Sequence, residues 1–120
     1  MGTVSALILG HGAGIERNLR ICPLCKTDVE TVAHFLLHCQ RLNQYREEFW
    51  NRLTSLLYSN THDAQSILNF LLQLDENTKV RLLLGGLKLP FESKLNLIID
   101  RFITVSVYKM FKFRVELLAQ

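Results

Sequence analysis

Apolar side chains recur three and four residues apart through most of this sequence, a spacing that gathers them on one side of an α-helix. The spacing predicts a short helix over 28–38, whose first turn Thr27 or Asp28 can cap with a side-chain oxygen. It also predicts four longer helices, over 41–58, 63–74, 75–84 and 91–119.

Single residues mark where the later helices begin and end. Asp63 and Asp75 stand where a short side-chain oxygen can accept a free backbone amide. The pair Gly85-Gly86 ends the fourth helix, because glycine tolerates a left-handed backbone, and Pro90 follows it. The run 103–108 is β-branched like a strand, but its apolar spacing favours a helix. The side chains expected in the core of the bundle are Phe49, Leu53, Leu71, Leu83, Ile99 and Phe102.

Composition narrows the class of protein without defining a function. The chain has 120 residues, of which 48% are hydrophobic, so it can bury a core. Its net charge of +3 is compatible with nucleic acid and equally common among proteins that bind none. Polar residues interrupt the apolar stretch 95–107, so no membrane association is expected. No basic residue precedes the apolar N-terminal patch, so we expect no signal peptide and an intracellular location, nuclear or cytoplasmic.

The cysteines carry the strongest chemical signal. All three lie between positions 22 and 39, and an odd number in a reducing compartment favours metal binding over disulfides. Cys22 and Cys25 are separated by two residues, which puts both sulfur atoms on one tight turn. His34 and Cys39 are five apart, so Cys39 is expected where the short helix ends. These four residues predict one structural Zn²⁺ held in a closed tetrahedral site.

Other interpretations of the cysteine segment remain open. His38 lies one helical turn after His34 and could replace Cys39 or His34 as a ligand. The cysteines could also be buried free thiols beside a core histidine, or a redox pair that leaves Cys39 unexplained. A hydrolytic zinc enzyme would need an open metal position, with Glu30 as the nearest candidate base. With four ligands present, Glu30 is better interpreted as a helix-start charge or a partner that orients the His34 ring.

The sequence therefore predicts a mainly α-helical chain in three parts. Residues 1–20 form a glycine-punctuated lead-in segment. Residues 21–40 form a small zinc knuckle of the Cys-Cys-His-Cys type, made of the CxxC turn and the short helix. Residues 41–120 form a helical bundle that packs with it.

Several short motifs follow one another between residues 20 and 50. They are Cys22-Pro23-Leu24-Cys25, Glu30-Thr31, His34-Phe35-Leu36-Leu37, Cys39, and a helix bearing Arg46 and Trp50. Together they resemble the zinc-binding segment that lies downstream of the polymerase in non-LTR retrotransposon reverse transcriptases. Upstream, Gly10-His11-Gly12 is similar to a Gly-His-Gly segment of that family. Lys26 stands where the family often has glycine, so a looser turn is expected here.

The resemblance implies a role in handling nucleic acid close to reverse transcription. It implies no catalysis by this chain, which lacks the paired aspartates of a polymerase in a strand-turn-strand context. The implied partners are RNA or DNA and other parts of a retroelement polyprotein. The alternative function is a structural zinc module that mediates protein–protein interaction without binding nucleic acid.

Basic residues surround the cysteine turn and are candidates for weak, salt-dependent contacts to phosphate. Arg20, Lys26 and Arg41 bracket the turn, and further cations extend the same region. Arg17 also brackets the turn, and the further cations are Arg46 and Arg52. A second basic group interleaves with aromatic residues near the C-terminus, where charges on a solvated face are the favoured interpretation. It consists of Lys109, Lys112 and Arg114, among Tyr108, Phe111 and Phe113.

Overall fold

A computed structural model describes residues 20–119 of the chain. Two short helical turns precede four α-helices within this range. The turns are a π-helical turn, His34–His38, and a 3-10 turn, Gln40–Leu42; the helices are α1, Asn43–Asn60, α2, Ala64–Leu72, α3, Glu76–Leu83, and α4, Ser93–Leu118. The mainly α-helical prediction is confirmed, with the cysteine-bearing segment placed ahead of the helices. The predicted Gly10-His11-Gly12 segment lies outside the described residues.

The short helix predicted over 28–38 is wrong in its first turn. Val29 instead pairs with Ile21 in an isolated antiparallel bridge, which keeps this stretch extended. Helical backbone begins at Val32, and the hydroxyl of Thr31 accepts a hydrogen bond from the His34 amide at 3.0 Å. Thr31 therefore caps the helix, the role predicted from the sequence for Thr27 or Asp28. Thr27 and Asp28 cannot fill this role because they belong to a hairpin that precedes the helix.

The two aspartates predicted to cap later helices behave differently. The Asp75 carboxylate accepts a hydrogen bond from the Thr78 amide at 2.8 Å, so the predicted cap of α3 is confirmed. Asp63 precedes α2, but its side chain makes no capping bond. There the hydroxyl of Thr61 accepts a hydrogen bond from the Asp63 amide at 3.2 Å, which stabilises the approach to α2 instead.

The end of α3 follows the glycine prediction closely. Gly85 has a φ of 79°, in the left-handed region where a side chain would be strained. Its amide donates to the carbonyl of Leu82 at 3.1 Å, and the Gly86 amide donates to the carbonyl of Arg81 at 2.8 Å. This pair of bonds satisfies carbonyls that the helix end leaves open, and it turns the chain toward α4.

The apolar side chains form two cores. The first, the helical core, is shared by all four α-helices and the loop before α4: Leu53, Leu57, Ala64, Ile67, Leu71, Leu82, Leu89, Leu95, Ile99 and Ile103. The second, the hairpin core, surrounds the cysteine segment: Cys22, Leu24, Phe35, Leu36, Cys39, Leu42 and Met110. Of the predicted core residues, three are fully enclosed and three are half-buried against the helical core. The enclosed ones are Leu53, Leu71 and Ile99; the half-buried ones are Phe49, Leu83 and Phe102.

Helix α4 joins the two cores. Ile99 and Ile103 lie in the helical core, whereas Met110 lies in the hairpin core further along the same helix. The run 103–108 is helical as predicted, because its apolar spacing packs Ile103 inward. Within the described residues, no helix is both long and apolar enough to cross a membrane.

A buried ion pair ties the end of α4 to the cysteine segment. The Arg114 guanidinium donates a hydrogen bond to the Glu30 carboxylate, and both residues are only 4% exposed. The guanidinium also lies 6.0 Å from the centre of the Phe35 ring. Among residues 20–119, its Nε atom has no hydrogen-bond partner, so the pair is imperfectly satisfied. Because a buried charge is costly unless it is paired, Arg114 depends on the Glu30 carboxylate.

We predict that Arg114→Met lowers the free energy of unfolding by about 3–5 kcal/mol, because it leaves the Glu30 charge buried without this partner. Combining it with Glu30→Met should recover most of that loss, because an apolar pair of similar volume needs no charge compensation. Chemical denaturation followed by circular dichroism measures both changes. The matched control is Arg101→Met, which removes an exposed cation of the same helix. Equal losses from Arg114→Met and Arg101→Met would contradict the assignment.

Candidate metal centre

The first two cysteines lie on a short hairpin, residues 20–30, called here the cysteine hairpin. Its two arms are joined by backbone hydrogen bonds from Cys22 to the Asp28 carbonyl at 2.8 Å and from Glu30 to the Arg20 carbonyl at 3.0 Å. At the tip, the Lys26 amide donates to the Cys22 carbonyl at 2.9 Å. This closed turn fixes the backbone from which both sulfur atoms project, as the CxxC spacing predicted.

Lys26 adopts the backbone conformation of a glycine. Its φ of 60° makes it the one non-glycine residue with positive φ among residues 20–119. The left-handed conformation costs an ordinary residue roughly 1–2 kcal/mol. The expected loosening of the turn is therefore not observed, since the lysine takes up the strained angle and the turn stays closed. Such strain persists only where the surrounding structure fixes it.

The second pair of candidate ligands depends on the π-helical turn. In an α-helix, five residues advance the chain by about 500°, which would leave His34 and Cys39 on different faces. Here the Cys39 amide donates to the His34 carbonyl at 2.7 Å, a bond that spans five residues and widens the turn. Cys39 then leaves the helix with a φ of −59° and a ψ of 118°. The widened turn and this exit bring both side chains to one point, at the helix end that the sequence predicted.

Arg46 of α1 closes the open end of this turn. Its guanidinium donates hydrogen bonds to the carbonyls of Leu36, Cys39 and Phe35 at 2.9, 2.7 and 3.1 Å. These carbonyls lie at the end of a helix, where internal partners run out. Burial lowers the pKa of Arg46, and the nearby Cys39 acts in the opposite direction. Arg46 is therefore a structural anchor, and its grouping with the candidate phosphate contacts is wrong.

Four ligand atoms meet beside the two turns. The sulfur atoms of Cys22, Cys25 and Cys39 and a ring nitrogen of His34 all lie within 4.8 Å of one another. The Cys22 and Cys39 sulfurs are 3.8 Å apart, and the Cys25 sulfur is 3.3 Å from His34 Nε2. In a tetrahedral zinc site with bonds of the usual length, two sulfur ligands lie roughly 3.8 Å apart, and a sulfur and a nitrogen ligand lie roughly 3.6 Å apart. The four residues therefore form a group that could hold a metal ion.

A disulfide does not explain the cluster. All three cysteines are free, and a disulfide would bring two sulfurs to roughly 2.0 Å. Cys22, Cys39 and His34 are buried, whereas Cys25 is partly exposed at the hairpin tip. Four protein atoms therefore converge from the cysteine hairpin and the π-helical turn, and solvent reaches the cluster on the side of Cys25.

The thiols of the cluster have unlike acidities. Burial opposes ionisation of Cys25, but hydrogen bonds from the Thr27 side chain and backbone, from Asp28 and from His34 outweigh it and lower its pKa to about 6. Burial is the main cause that raises the pKa of Cys39 to about 12; the charges of Cys22 and Cys25 act in the same direction, and a backbone hydrogen bond from Arg41 acts against them. Thiols so close together repel one another once ionised. A bound cation reverses that repulsion, because it favours the thiolate form of every ligand.

His38 lies outside the cluster. It is exposed, and its Nε2 atom is 2.7 Å from the Glu76 carboxylate on α3. The geometry therefore brings together the Cys-Cys-His-Cys set and not the alternative with His38. Glu30, considered from sequence as a candidate base or a partner for the His34 ring, is instead ion-paired with Arg114.

The basic residues considered as phosphate contacts differ in their exposure and in their partners. Lys26 and Arg41 are exposed beside the cluster, and Arg20 is half-buried. Arg52 pairs with Glu48 one turn earlier on α1. Arg114 is buried, so including it in a C-terminal basic surface is wrong. The other two members of that group, Lys109 and Lys112, are exposed. The Lys112 ammonium lies 5.9 Å from the centre of the Tyr108 ring.

Comparison with protein-family models, curated proteins and solved structures finds no match to this chain. The residues and distances of the candidate metal centre are therefore the only support for a metal site within the described residues. The hairpin, the π-helical turn and the four converging ligand atoms are the observations from which any function must be argued.

We predict one metal ion per chain, lost on Cys22→Ser, Cys39→Ser or His34→Ala. Structural zinc sites contribute roughly 10–16 kcal/mol of apparent binding free energy, comparable with or above the whole stability of a domain. Removing a ligand should therefore unfold the cysteine segment. His38→Ala is the matched control, because it removes only an exposed ion pair worth under about 1 kcal/mol. Elemental analysis and thermal melting would contradict the assignment if His38→Ala were the severe change.

Metal affinity should rise with pH. In the metal-free chain the Cys39 thiol, with its pKa of about 12, keeps its proton near neutral pH, so metal binding must release that proton. Cys25, with a pKa of about 6, is already ionised there and releases none. The apparent affinity should increase by at least about tenfold per pH unit between about pH 7 and 9. Competition with a chelator across this range measures it, and a flat profile would be the contrary result.

Proposed function

We propose that this chain is a zinc-binding, nucleic-acid-binding module of the kind found downstream of the polymerase in non-LTR retrotransposon reverse transcriptases. The observation that carries the proposal is the convergence of Cys22, Cys25, His34 and Cys39 within 4.8 Å. These are the residues through which the segment resembles that family. In this proposal the metal is structural, and the chain itself catalyses no reaction.

Zinc is the metal that suits this donor set best. Three thiolates and one imidazole are soft and borderline ligands, which zinc binds as a tetrahedron without redox chemistry. The separations of 3.8 Å between two sulfurs and 3.3 Å between sulfur and nitrogen lie close to the edges of that tetrahedron. Four protein ligands leave no coordination position for substrate, which favours a structural role over a hydrolytic one.

Two exposed cations at the metal centre support nucleic-acid binding. Lys26 is held at the hairpin tip by its own left-handed backbone and its hydrogen bond to Cys22. Arg41 belongs to the 3-10 turn that follows Cys39, where the Leu42 amide donates to the Cys39 carbonyl at 3.0 Å. Metal binding fixes the backbone beneath both side chains. Phosphate contacts there would need little further ordering, which favours binding.

A second candidate function rests on the outer face of α4. Four apolar residues there are strongly exposed: Leu97 at 58%, Val105 at 48%, Tyr108 at 61% and Val115 at 46%. At 3.6 residues per turn they fall within an arc of about 80° on one side of the helix. The exposed Arg101 and Lys112 lie in the same arc, so this face is a mixture of apolar and basic side chains. In this second function such a face contacts a partner protein, and the metal serves only to fold the chain.

We predict weak binding to single-stranded RNA or duplex DNA that weakens as salt increases. Each phosphate neutralised should contribute a slope of about 0.7–0.9 in the logarithm of affinity against the logarithm of salt concentration. Replacing Arg20, Lys26 and Arg41 together with Gln should flatten this slope while the metal content stays unchanged. Fluorescence anisotropy of labelled oligonucleotides at several salt concentrations gives the measurement.

The matched control removes the same number of cations elsewhere. Lys88, Lys94 and Arg101 are exposed on and before the first half of α4, and their replacement with Gln should leave most of the slope intact. Equal losses in both variants would indicate net charge alone rather than a site at the metal centre. Absence of binding by the metal-loaded chain even at low salt would overturn the nucleic-acid function in favour of protein–protein interaction.

A further inference from the structure

A cavity of about 430 Å³ lies between the π-helical turn, α1, α3 and α4. It is situated where the helical core and the hairpin core meet, since residues of both contribute to its wall. Its walls are mainly apolar and aromatic, and include Leu37, Phe49, Trp50, Leu83, Phe102 and Met110. Its volume falls within the range of roughly 300–1,000 Å³ that is usual for small-molecule sites.

The charged residues of the cavity wall do not balance. Glu48 pairs with Arg52 on the same helix. Arg46 donates its hydrogen bonds to carbonyls at the end of the π-helical turn. Two further cations line the wall, Lys79 of α3 and Lys109 of α4. Among the described residues, neither lysine side chain has a hydrogen bond or an ion pair. The cavity wall therefore carries a net positive charge beside an apolar interior, and Lys79 and Lys109 contribute to it without an anionic partner among the described residues.

We propose that this cavity binds an amphiphilic carboxylate, a molecule with one anionic head and an apolar body such as a medium-chain fatty acid. The apolar body replaces water against the aromatic and aliphatic walls, which is favourable in proportion to the area covered. The carboxylate supplies the negative charge that Lys79 and Lys109 lack, and charge-assisted hydrogen bonds to lysine are among the stronger kinds. A cation of the same shape would be repelled. The proposal rests on the cavity wall itself and on neither metal binding nor nucleic-acid binding.

Trp50 is a built-in reporter of this cavity. It is the single tryptophan of the chain and part of the cavity wall, so its fluorescence changes when the wall loses water. The metal-loaded full chain is titrated with dodecanoate below its micelle concentration, alongside dodecanol and dodecyltrimethylammonium. Dodecanoate should give a saturable change in emission, with an affinity at least about tenfold above that of the ammonium compound. Circular dichroism checks that the fold is retained throughout.

Two pairs of substitutions test the role of charge. Lys79→Gln with Lys109→Gln should weaken dodecanoate binding by about tenfold or more and leave dodecanol binding within about twofold. Lys88→Gln with Lys112→Gln removes two exposed lysines that do not line the cavity, so dodecanoate affinity should stay within about twofold. Ser106→Phe places a large ring at the wall and should abolish binding of both ligands. If that variant misfolds, the two lysine pairs decide the question.

Several results would overturn the proposal. Equal affinities for dodecanoate and dodecyltrimethylammonium would show that charge is not recognised. Equal weakening by the two lysine pairs would place the effect outside the cavity. Trp50 emission that depends on protein concentration without ligand, together with a dimer in sedimentation, would show that a second copy of the chain covers this surface.

Discussion

Three sulfur atoms and one imidazole nitrogen lie within 4.8 Å of one another, and much of the local backbone is shaped by that convergence. Lys26 takes a left-handed conformation to close the hairpin, and the helical turn widens so that His34 and Cys39 can meet. Each distortion is unfavourable alone. A bound divalent cation would make the set favourable, because it would remove the repulsion among neighbouring thiolates and join both turns at one point.

The metal centre is connected to the helices by two arginines. Arg46 links α1 to the carbonyls of the π-helical turn, and Arg114 links α4 to Glu30 of the cysteine hairpin. The hairpin core, which contains Cys22 and Cys39, fills the space between these links. Loss of the metal should therefore disturb the hairpin and the neighbouring ends of α1 and α4. The helical core buries its own apolar side chains and depends less on the metal.

Features set by nearby residues could be predicted from the sequence, and features set by distant partners could not. The apolar spacing located the helices, and single residues located the Asp75 cap and the end of α3 near Gly85, because these features depend on residues within one turn. The spacing of cysteines and histidine likewise indicated which four residues meet. Arg46 and Arg114 carried no such signal: as charges in the sequence they looked like surface cations, and Arg114 meets a partner 84 residues away. The bridge between Ile21 and Val29 was also missed, since two residues give no strand pattern.

X-ray absorption at the zinc edge on the purified, metal-loaded chain tests the ligand set of the candidate metal centre. It reports which atoms bind the metal and at what distance, without dependence on any functional assay. For binding by Cys22, Cys25, His34 and Cys39 we expect three sulfur neighbours at roughly 2.3 Å and one nitrogen at roughly 2.0–2.1 Å. Two sulfurs with two nitrogens would place His38 in the site, an oxygen neighbour would mark an open position, and a chain that retains no metal would contradict the account altogether.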